Sequence, residues 1–321
     1  MLDIKASVIL PTYRRFEPLL NTLTDLHAQI YNEFEIIVID QNEYWPEKYL
    51  QNLKSIQSSP RVNWIYQEVP DVVVARNMAV QKSKGEILIF IDDDVKIVDT
   101  YFIKKYVDAF KQPSVNIVVG RERDYLASSH PNTHAIIDMD KIKIDDLPYV
   151  EGMSPLQQAL WFNRDSVNPV KVCTFSTCNG AIRRSTFLEV KGFDENFSGN
   201  SYGDDYDLIL RLHKLGFVGI YLPFIWLIHL KSPMGGLRMS DLKNKRINYV
   251  KTSSGFWLFL FRHSTKDMFW HLLYHHVLRK TIFLKVNFLK PWRQFFVFPS
   301  LIVGFFRGLF LWCRGPFSHL C

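Results

Sequence analysis

Residues 6–40 read ASVILPTYRRFEPLLNTLTDLHAQIYNEFEIIVID, in which two apolar runs flank a periodic stretch. The runs, Ala6 to Leu10 and Phe34 to Asp40, have the length and composition of buried strands, and Pro11 stops the first. Leu19 to Gln29, between them, has the apolar spacing of a helix. A strand, a helix and a strand in this order form a β-α-β unit, so the stretch predicts a parallel sheet.

The same alternation continues beyond Asp40. A helical stretch at Glu47 to Gln57 precedes a strand at Arg61 to Tyr66, and a helix at Val74 to Ser83 precedes a strand at Glu86 to Ile91. The pattern predicts the α/β class with a doubly wound sheet, whose ligands bind beyond the carboxyl ends of the strands. Residues 121–170 are less regular, and we expect a lid or acceptor-binding region there.

Three adjacent carboxylates, Asp92, Asp93 and Asp94, follow the strand that ends at Ile91. Such a group repels itself unless a cation lies among its members, and hard oxygen ligands favour Mg²⁺ or Mn²⁺. A solvated turn or a helix cap is the alternative interpretation. No glycine occurs before Gly85, so the first strands carry no glycine-rich phosphate loop, and a metal is the simplest way to neutralise a diphosphate.

A second acidic group precedes a predicted helix at Tyr206 to Lys214. Asp204 and Asp205 lie near its start, where a carboxylate can face a cleft and act as a general base; helix capping is the alternative. His229 follows the apolar run Ile220 to Ile228, which makes it a candidate third metal ligand or a structural histidine.

The formal net charge of +7 is unevenly distributed. From His229 onward the chain holds 15 Lys and Arg against Asp241 and Asp267, whereas the upstream part holds 24 Lys and Arg against 30 Asp and Glu. The basic residues of the tail alternate with Phe, Trp and Leu, a mixture typical of segments that bind anionic lipid. Acidic residues over the first two-thirds would repel a phosphate backbone, so we expect no nucleic acid as a partner.

Basic, aromatic helices are predicted in the tail, at Phe256 to Phe261, Met268 to Leu284 and Phe295 to Trp312. The last approaches the ~20 residues that span a bilayer, but Arg307 interrupts it, so a helix lying in the membrane interface is favoured over a single span. A tail that packs on the domain or forms an oligomer is the alternative. The basic residues expected to face anionic head groups are Arg262, Arg279, Lys280, Lys285, Lys290 and Arg293.

The four cysteines form no Cys-x-x-Cys pair, and the N-terminus lacks the features of a signal peptide. We therefore expect reduced thiols, no zinc site, and a protein at the cytoplasmic face of the inner (plasma) membrane. The cysteines are Cys173, Cys178, Cys313 and Cys321.

Several short motifs occur in a fixed order over about residues 5–235, and their combination resembles glycosyltransferase family 2. They are Ser7-Val-Ile-Leu-Pro-Thr-Tyr13, Glu35-Ile-Ile-Val-Ile-Asp40, Ala75-Arg-Asn77, Asp92-Asp-Asp94, Asn179-Gly-Ala-Ile-Arg-Arg184, Gly192-Phe-Asp-Glu-Asn-Phe197 and Gly203-Asp-Asp205.

The resemblance implies a GT-A type of doubly wound mixed sheet, in which Asp92 and Asp94 form an Asp-x-Asp metal motif with His229 as a third ligand. Asp205 would be the base in place of the family's Glu-Asp pair; Asp204 stands where Glu is usual, which leaves the choice between them open. Gly235-Gly236 would form a mobile loop over the diphosphate. The implied donor-binding residues are Pro11, Thr12, Tyr13, Asp40, Arg76, Asn77, Asp92, Asp93, Asn179 and Gly180.

The function implied is an inverting, Mn²⁺- or Mg²⁺-dependent transfer of a sugar from a nucleoside-diphosphate sugar, with a UDP-sugar favoured. The acceptor would be a glycan or lipid-linked hydroxyl in cell-surface polysaccharide or lipid-linked glycan synthesis. Residues 1–236 would be the catalytic domain, with a nucleotide-sugar half at 1–120 and an acceptor half at 121–236; residues 237–321 would form the tail at an anionic membrane surface. A nucleotidyltransferase and a non-enzymatic membrane-binding protein are the alternatives.

Overall fold

The computed structural model describes residues 5–124, 142–197, 203–232, 235–236, 249–279, 282 and 294–320. Part of the region where a lid was predicted, residues 125–141, therefore lies outside the described residues, as do the basic residues Lys280, Lys285, Lys290 and Arg293 and the thiol Cys321.

The described strands form one mixed sheet, with the order β3-β2-β1-β4-β8-β6-β9-β5, and β7 pairs with β9. Neighbours among β1 to β4 are parallel, whereas β8 runs antiparallel to both β4 and β6. The predicted α/β class and doubly wound mixed sheet are confirmed. The strands are β1 (Ala6–Thr12), β2 (Phe34–Asp40), β3 (Val62–Tyr66), β4 (Ile87–Ile91), β5 (Val95–Lys96), β6 (Ile117–Asp124), β7 (Val170–Val172), β8 (Asn179–Arg183) and β9 (Gly219–His229).

Helices cover both faces of this sheet. The last α-helix ends shortly before the C-terminus, and a π-helical turn, Leu273–Leu278, extends the helix before it. The α-helices are α1 (Phe16–His27), α2 (Leu50–Gln57), α3 (Val72–Lys82), α4 (Phe102–Ala109), α5 (Pro155–Trp161), α6 (Arg184–Glu189), α7 (Asp204–Lys214), α8 (Tyr249–His263), α9 (Phe269–Leu272) and α10 (Gln294–Arg314).

The alternation of side chains along β1 shows why the sheet needs helices on both faces. Val8 and Leu10 pack into one core with Leu19 of α1, whereas Ile9 packs into the other core with Val73 of α3. Successive strand residues point to opposite faces, and a fully buried aliphatic side chain contributes about 1.5–3 kcal/mol. Both faces of β1 are therefore apolar, which explains its continuous apolar run.

Two register pairs fix the geometry at the carboxyl end of β4. Val95 of β5 pairs with His229 of β9, so His229 lies beside the acidic residues that join β4 to β5. Ile91 of β4 pairs antiparallel with Asn179 of β8, so the residue before Asn179, Cys178, lies opposite Asp92. Residues far apart in the chain are thereby placed at one edge of the sheet.

The C-terminal helix α10 packs along α8. A Cβ at Gly308 would lie 2.7 Å from the Cβ of Trp257, and a Cβ at Gly304 would overlap the side chain of Ser253. Glycines four residues apart thus let the two backbones approach closely. The face of α10 turned away from α8 carries exposed apolar side chains, among them Phe306 and Phe310, each 64% exposed.

Buried ion pairs connect α8 to Asp194 and to Asp207 of α7, and this corrects the prediction that Arg262 faces lipid head groups. The Nη1 atom of Arg262 donates to Asp194 Oδ2 and to Asp207 Oδ1, both at 2.7 Å. His263 Nε2 lies 2.8 Å from the same Asp207 oxygen, and Arg211 donates to the other oxygen at 2.7 Å. Two buried carboxylates require a cation nearby, which is why Arg262 turns inward.

Candidate active site

The acidic residues after β4 differ in exposure and partners. The Asp92 side chain is 25% exposed and the Asp94 side chain is fully buried. His229 Nε2 lies 3.4 Å from Asp94 Oδ1 and 3.8 Å from Asp92 Oδ2. Burial alone would raise the pKa of Asp94, but the His229 hydrogen bond and the Arg15 charge bring it below its usual value. Asp92, Asp94 and His229, the predicted metal residues, are thus brought together.

A divalent cation fits this group of side chains. Single ligand atoms of Asp92, His229 and Cys178 all lie within 4.8 Å of one another. Oxygen, nitrogen and sulfur donors at such separations are the ligand types that divalent metals bind in proteins. Burial lowers the pKa of His229, yet the Asp94 hydrogen bond and the Asp92 charge raise it overall, as expected of a histidine among carboxylates.

Asp93 points away from this group and joins β1 to β4. It accepts hydrogen bonds from Thr12 Oγ1 and from Arg15 Nη1, both at 2.7 Å. Burial raises the pKa of Asp93 to about 6, although Arg15 opposes the shift. Arg15 also donates to Asp94 Oδ1 at 2.7 Å. Thr12, Arg15 and Asp93 therefore form a hydrogen-bonded group next to the candidate metal residues.

The Gly235-Gly236 loop packs on the end of β1. The backbone N–H of Gly236 donates to the carbonyl of Tyr13 at 2.6 Å. Gly236 has a φ of +60°, and a Cβ there would lie 2.8 Å from Arg15 Cζ, so a larger residue would be strained and would displace the arginine. This contact links the loop to the residues that hold Asp93 and Asp94.

Asp40, predicted to lie near the nucleoside, has a carboxylate that four N–H groups occupy. Its Oδ1 accepts from the backbone and side chain of Asn42 at 3.0 and 2.6 Å, and its Oδ2 accepts from the indoles of Trp45 and Trp64 at 2.7 and 3.1 Å. A carboxylate has about four acceptor positions, so Asp40 orders the turn after β2. Pro11 is buried and Tyr13 is half-buried at the neighbouring strand end.

The two polar residues of the motif Arg76-Asn77 contact different groups. Arg76 Nη1 donates to Asp204 Oδ2 at 2.6 Å, and its Nη2 lies 3.9 Å from Asp92. Asn77 instead donates to the carbonyl of Phe193 and to Glu195 at 2.9 Å, away from the acidic residues. Arg76 therefore joins the two acidic groups, whereas the amide of Asn77 is used within the fold.

Asn179 and Gly180 also serve the fold around the site. Asn179 accepts from the Tyr106 hydroxyl at 2.7 Å and donates to the carbonyl of Arg121 at 2.8 Å, and it is fully buried. Gly180 lies so close to Ser176 that a Cβ would overlap its carbonyl. Both residues position the strand that carries Cys178 rather than expose polar atoms to the cleft.

Asp204 and Asp205 begin α7 but have different partners. Asp204 is 3% exposed and paired with Arg76, and burial raises its pKa to about 7. Asp205 is half-buried, and its Oδ1 accepts from the N–H of Tyr206 at 2.9 Å. Burial raises the pKa of Asp205 too, opposed by the charges of Arg164 and Arg76. The less enclosed carboxylate, Asp205, is the one with the better access to an incoming hydroxyl.

The sequence did not identify three residues near this site, which are Arg164, Glu122 and Cys178. Arg164, in the loop after α5, ion-pairs with Glu122 at 3.2 Å and interacts electrostatically with Asp205. The Cys178 thiol lies among the candidate metal-ligand atoms, although the sequence analysis interpreted it as an ordinary reduced thiol. No spacing pattern in the sequence could have identified these residues, because strand register and the loop after α5 determine their positions.

The chain is similar to known proteins over most of its length. A family model described as Glycosyl transferase family 2 matches residues 7–189, more than half of the chain. The uncharacterized glycosyltransferase YfnE of Bacillus subtilis is 25% identical over 271 residues, which cover 75% of this chain and 68% of YfnE. The amylovoran biosynthesis glycosyltransferase AmsB of Erwinia amylovora is 26% identical over 230 residues, covering 68% and 66%. The chain thus spans about two thirds of each relative.

Solved structures share the architecture. The crystal structure of S. aureus TarS 1–349 in complex with UDP-GlcNAc superposes with a TM-score of 0.59 at 16% identity, covering 94% of this chain and 79% of that one. At this identity the likeness shows the fold, and it confirms the predicted GT-A type of mixed α/β sheet.

Proposed function

Because the chain belongs to glycosyl transferase family 2, we propose that it is an inverting, metal-dependent transferase that uses a UDP-sugar. The sugar goes to a hydroxyl of a glycan or of a lipid-linked acceptor in cell-surface polysaccharide synthesis. The UDP preference draws on the UDP-GlcNAc complex of TarS, and the pathway on the amylovoran role of AmsB.

One observation carries this proposal: Arg76 connects the candidate metal residue Asp92 to Asp204, the residue directly before the candidate base Asp205. Its guanidinium lies 2.6 Å from Asp204 and 3.9 Å from Asp92. The group that would bind the donor diphosphate and the group that would activate the acceptor therefore border one cleft. A single displacement needs this arrangement, because the acceptor oxygen that the base deprotonates and the leaving diphosphate lie on opposite sides of the anomeric carbon.

In the proposed mechanism Asp205 accepts the proton of the acceptor hydroxyl as the oxygen attacks the anomeric carbon. The raised pKa of Asp205 makes its carboxylate a better base near neutral pH than an ordinary aspartate. Arg76 fixes Asp204 beside it, and Arg164 supplies a second positive charge near the developing negative charge. Asp92, Asp94 and His229 would hold Mn²⁺ or Mg²⁺, which when bound stabilises the charge on the leaving diphosphate.

We also propose that the protein associates peripherally with an anionic membrane surface through α10, as part of a tail at residues 237–321. By length and composition Val297–Arg314 could cross a membrane, a test that buried helices of soluble proteins also pass. Exposed patches of large apolar side chains often mark membrane or protein contacts. The exposed apolar residues of α10 are Phe295, Phe298, Ile302, Val303, Phe306, Phe310 and Trp312.

The membrane proposal can be tested by flotation with anionic vesicles. The double variant Phe306→Asn/Phe310→Asn should lose vesicle binding, while Val167→Asn, at a residue 66% exposed elsewhere, should keep it. Equal flotation of the double variant and the wild type would contradict the proposal. A concentration-dependent dimer that the double variant abolishes, with no vesicle binding by either protein, would assign the face to a second copy.

The transfer proposal is tested by product analysis. The protein is incubated with UDP-sugars of known anomeric configuration, with and without Mn²⁺, and the released nucleotide and the sugar product are examined by NMR. We expect Mn²⁺-dependent UDP release and an inverted anomeric centre. Retention of configuration would refute the single displacement, and pyrophosphate release from a nucleoside triphosphate would favour a nucleotidyltransferase.

A further inference from the structure

Cys178 places a sulfur atom at a site whose other donors are oxygen and nitrogen. The thiol of this buried residue lies with one Asp92 oxygen and one His229 nitrogen inside a group whose atoms are all within 4.8 Å of one another. Ile91 of β4 pairs antiparallel with Asn179 of β8. This pairing brings Cys178, the residue before Asn179, opposite Asp92, the residue after Ile91. Within the described residues, this is the cluster in which a cysteine joins potential metal ligands.

The composition of this donor set favours a different cation from the one that the acidic motif suggests. Mg²⁺ prefers oxygen ligands, whereas thiolates bind Zn²⁺ and softer ions strongly. Zinc bonds of about 2.0–2.3 Å place tetrahedral ligand atoms about 3.3–3.8 Å apart. His229 Nε2 and Asp92 Oδ2, which are 3.8 Å apart, already match this spacing, and a separation at the 4.8 Å limit would have to shorten by about 1 Å or slightly more. Asp94 lies beside this group, with its Oδ1 3.4 Å from His229 Nε2 and 2.7 Å from Arg15 Nη1.

We propose that Asp92, Cys178 and His229 form a binding site for a borderline or soft divalent cation of the Zn²⁺ class. The cation replaces the thiol proton, so one metal–sulfur bond forms, one proton is released to solvent, and no electron is transferred. Because Asp92 and His229 are shared, this cation and the Mn²⁺ or Mg²⁺ of the proposed transfer exclude each other. The inference rests on the metal site of the proposed function and adds that Zn²⁺ competes there.

The sulfur ligand has a direct optical signature with Cd²⁺ as the probe. Cys313 is exposed and would bind Cd²⁺ by itself, so the background is Cys313→Ser/Cys321→Ser. Chelator-treated protein in this background should show a thiolate-to-cadmium charge-transfer band that saturates at one equivalent. Adding Cys178→Ser should abolish the band, whereas adding Cys173→Ser, the matched change at the other buried thiol, should leave it intact.

Zinc affinity gives a second readout. Competition with a chromophoric chelator should show that Cys178→Ser weakens Zn²⁺ binding at least about tenfold, the lower end of the losses seen when groups supporting a metal site are removed. Cys173→Ser should bind Zn²⁺ like its parent. A charge-transfer band that survives Cys178→Ser, or equal Zn²⁺ affinity in both variants, would overturn the proposal.

A measurement without a buried substitution guards against misfolding of the variants. The ¹¹³Cd NMR shift of the Cys313→Ser/Cys321→Ser protein should indicate one sulfur donor among oxygen and nitrogen donors, and a shift typical of oxygen and nitrogen alone would overturn the proposal. Mn²⁺-dependent UDP binding is measured on the same sample. UDP binding without sulfur coordination removes only this inference, whereas sulfur coordination without any UDP binding or transfer removes the proposed function.

Discussion

Asp204→Asn and Asp205→Asn change the same chemical group at consecutive positions and should fail in different ways. Asp205 is half-buried, and the described contact of its carboxylate is the N–H of Tyr206, which an amide oxygen can also accept. Asp204 is buried against Arg76 at 2.6 Å, so its replacement leaves a buried guanidinium without its anion. One variant should lose chemistry, and the other should lose stability.

The expected magnitudes follow from these contacts. Loss of a general base costs about 10²- to 10⁴-fold in rate, equivalent to about 3–5 kcal/mol of transition-state stabilisation. Asp205→Asn should therefore lower kcat by this factor with little change in UDP affinity or stability, because burial already disfavours the charge of Asp205. Breaking a buried ion pair costs about 3–5 kcal/mol, so Asp204→Asn should lower the free energy of unfolding by that amount.

Three measurements on both variants and the wild type separate the loss of catalysis from the loss of stability. They are the initial transfer rate, the UDP affinity from calorimetry and the free energy of unfolding in urea. Asp204→Asn should also weaken UDP binding, because Arg76 loses the partner that positions it beside Asp92. Full turnover by Asp205→Asn would refute its assignment as the base. A stable Asp204→Asn protein with the larger loss in kcat would move the role to Asp204.

Other perturbations probe the remaining parts of the site. Because burial raises the pKa of Asp205 and the base acts deprotonated, kcat should fall with decreasing pH, and the fall should begin at a higher pH than an unperturbed aspartate would give; a kcat profile that follows the ordinary pKa of aspartate would contradict this. Arg262→Met leaves Asp194 buried without its cation, whereas Asp207 keeps Arg211, and the change should cost about 3–5 kcal/mol in urea unfolding; a change below about 1 kcal/mol, the size of an exposed ion pair, would refute the coupling of α8 to α7. Asp94→Ala should make UDP affinity independent of Mn²⁺ in calorimetry, and an unchanged metal effect would exclude Asp94 as a ligand.

The strands and the acidic motif could be predicted because local patterns encode them. The apolar runs of β1 and β2 reflect burial on both faces of the sheet, and Asp92 to Asp94 follow the run of β4 directly. The prediction that Asp204 and Asp205 start a helix holds for the same reason, since α7 begins at Asp204.

The pairings between these elements could not be predicted, because they depend on register and on long-range charge balance. The family resemblance placed His229 with Asp92 and Asp94, but the pairing of β5 with β9 that brings it there involves a two-residue strand, which leaves no periodic signal. The sequence predicted that Arg262 faces lipid head groups. Its guanidinium instead forms buried ion pairs with Asp194 and Asp207. Arg76 was assigned to the donor by resemblance, and its pairing with Asp204, 128 residues away, has no local signature.

The central claim is that Asp92, Asp94 and His229 hold a divalent metal through which the chain binds a nucleotide-sugar. The most direct test is the thermal stability of the purified protein with UDP-, GDP-, dTDP- and CMP-sugars, each with Mn²⁺ and with chelator, because a ligand that binds only the folded state raises its stability. The Tm should rise with UDP-sugars when Mn²⁺ is present, and His229→Ala should remove this rise. No rise with any nucleotide-sugar, from a folded sample, would contradict this claim.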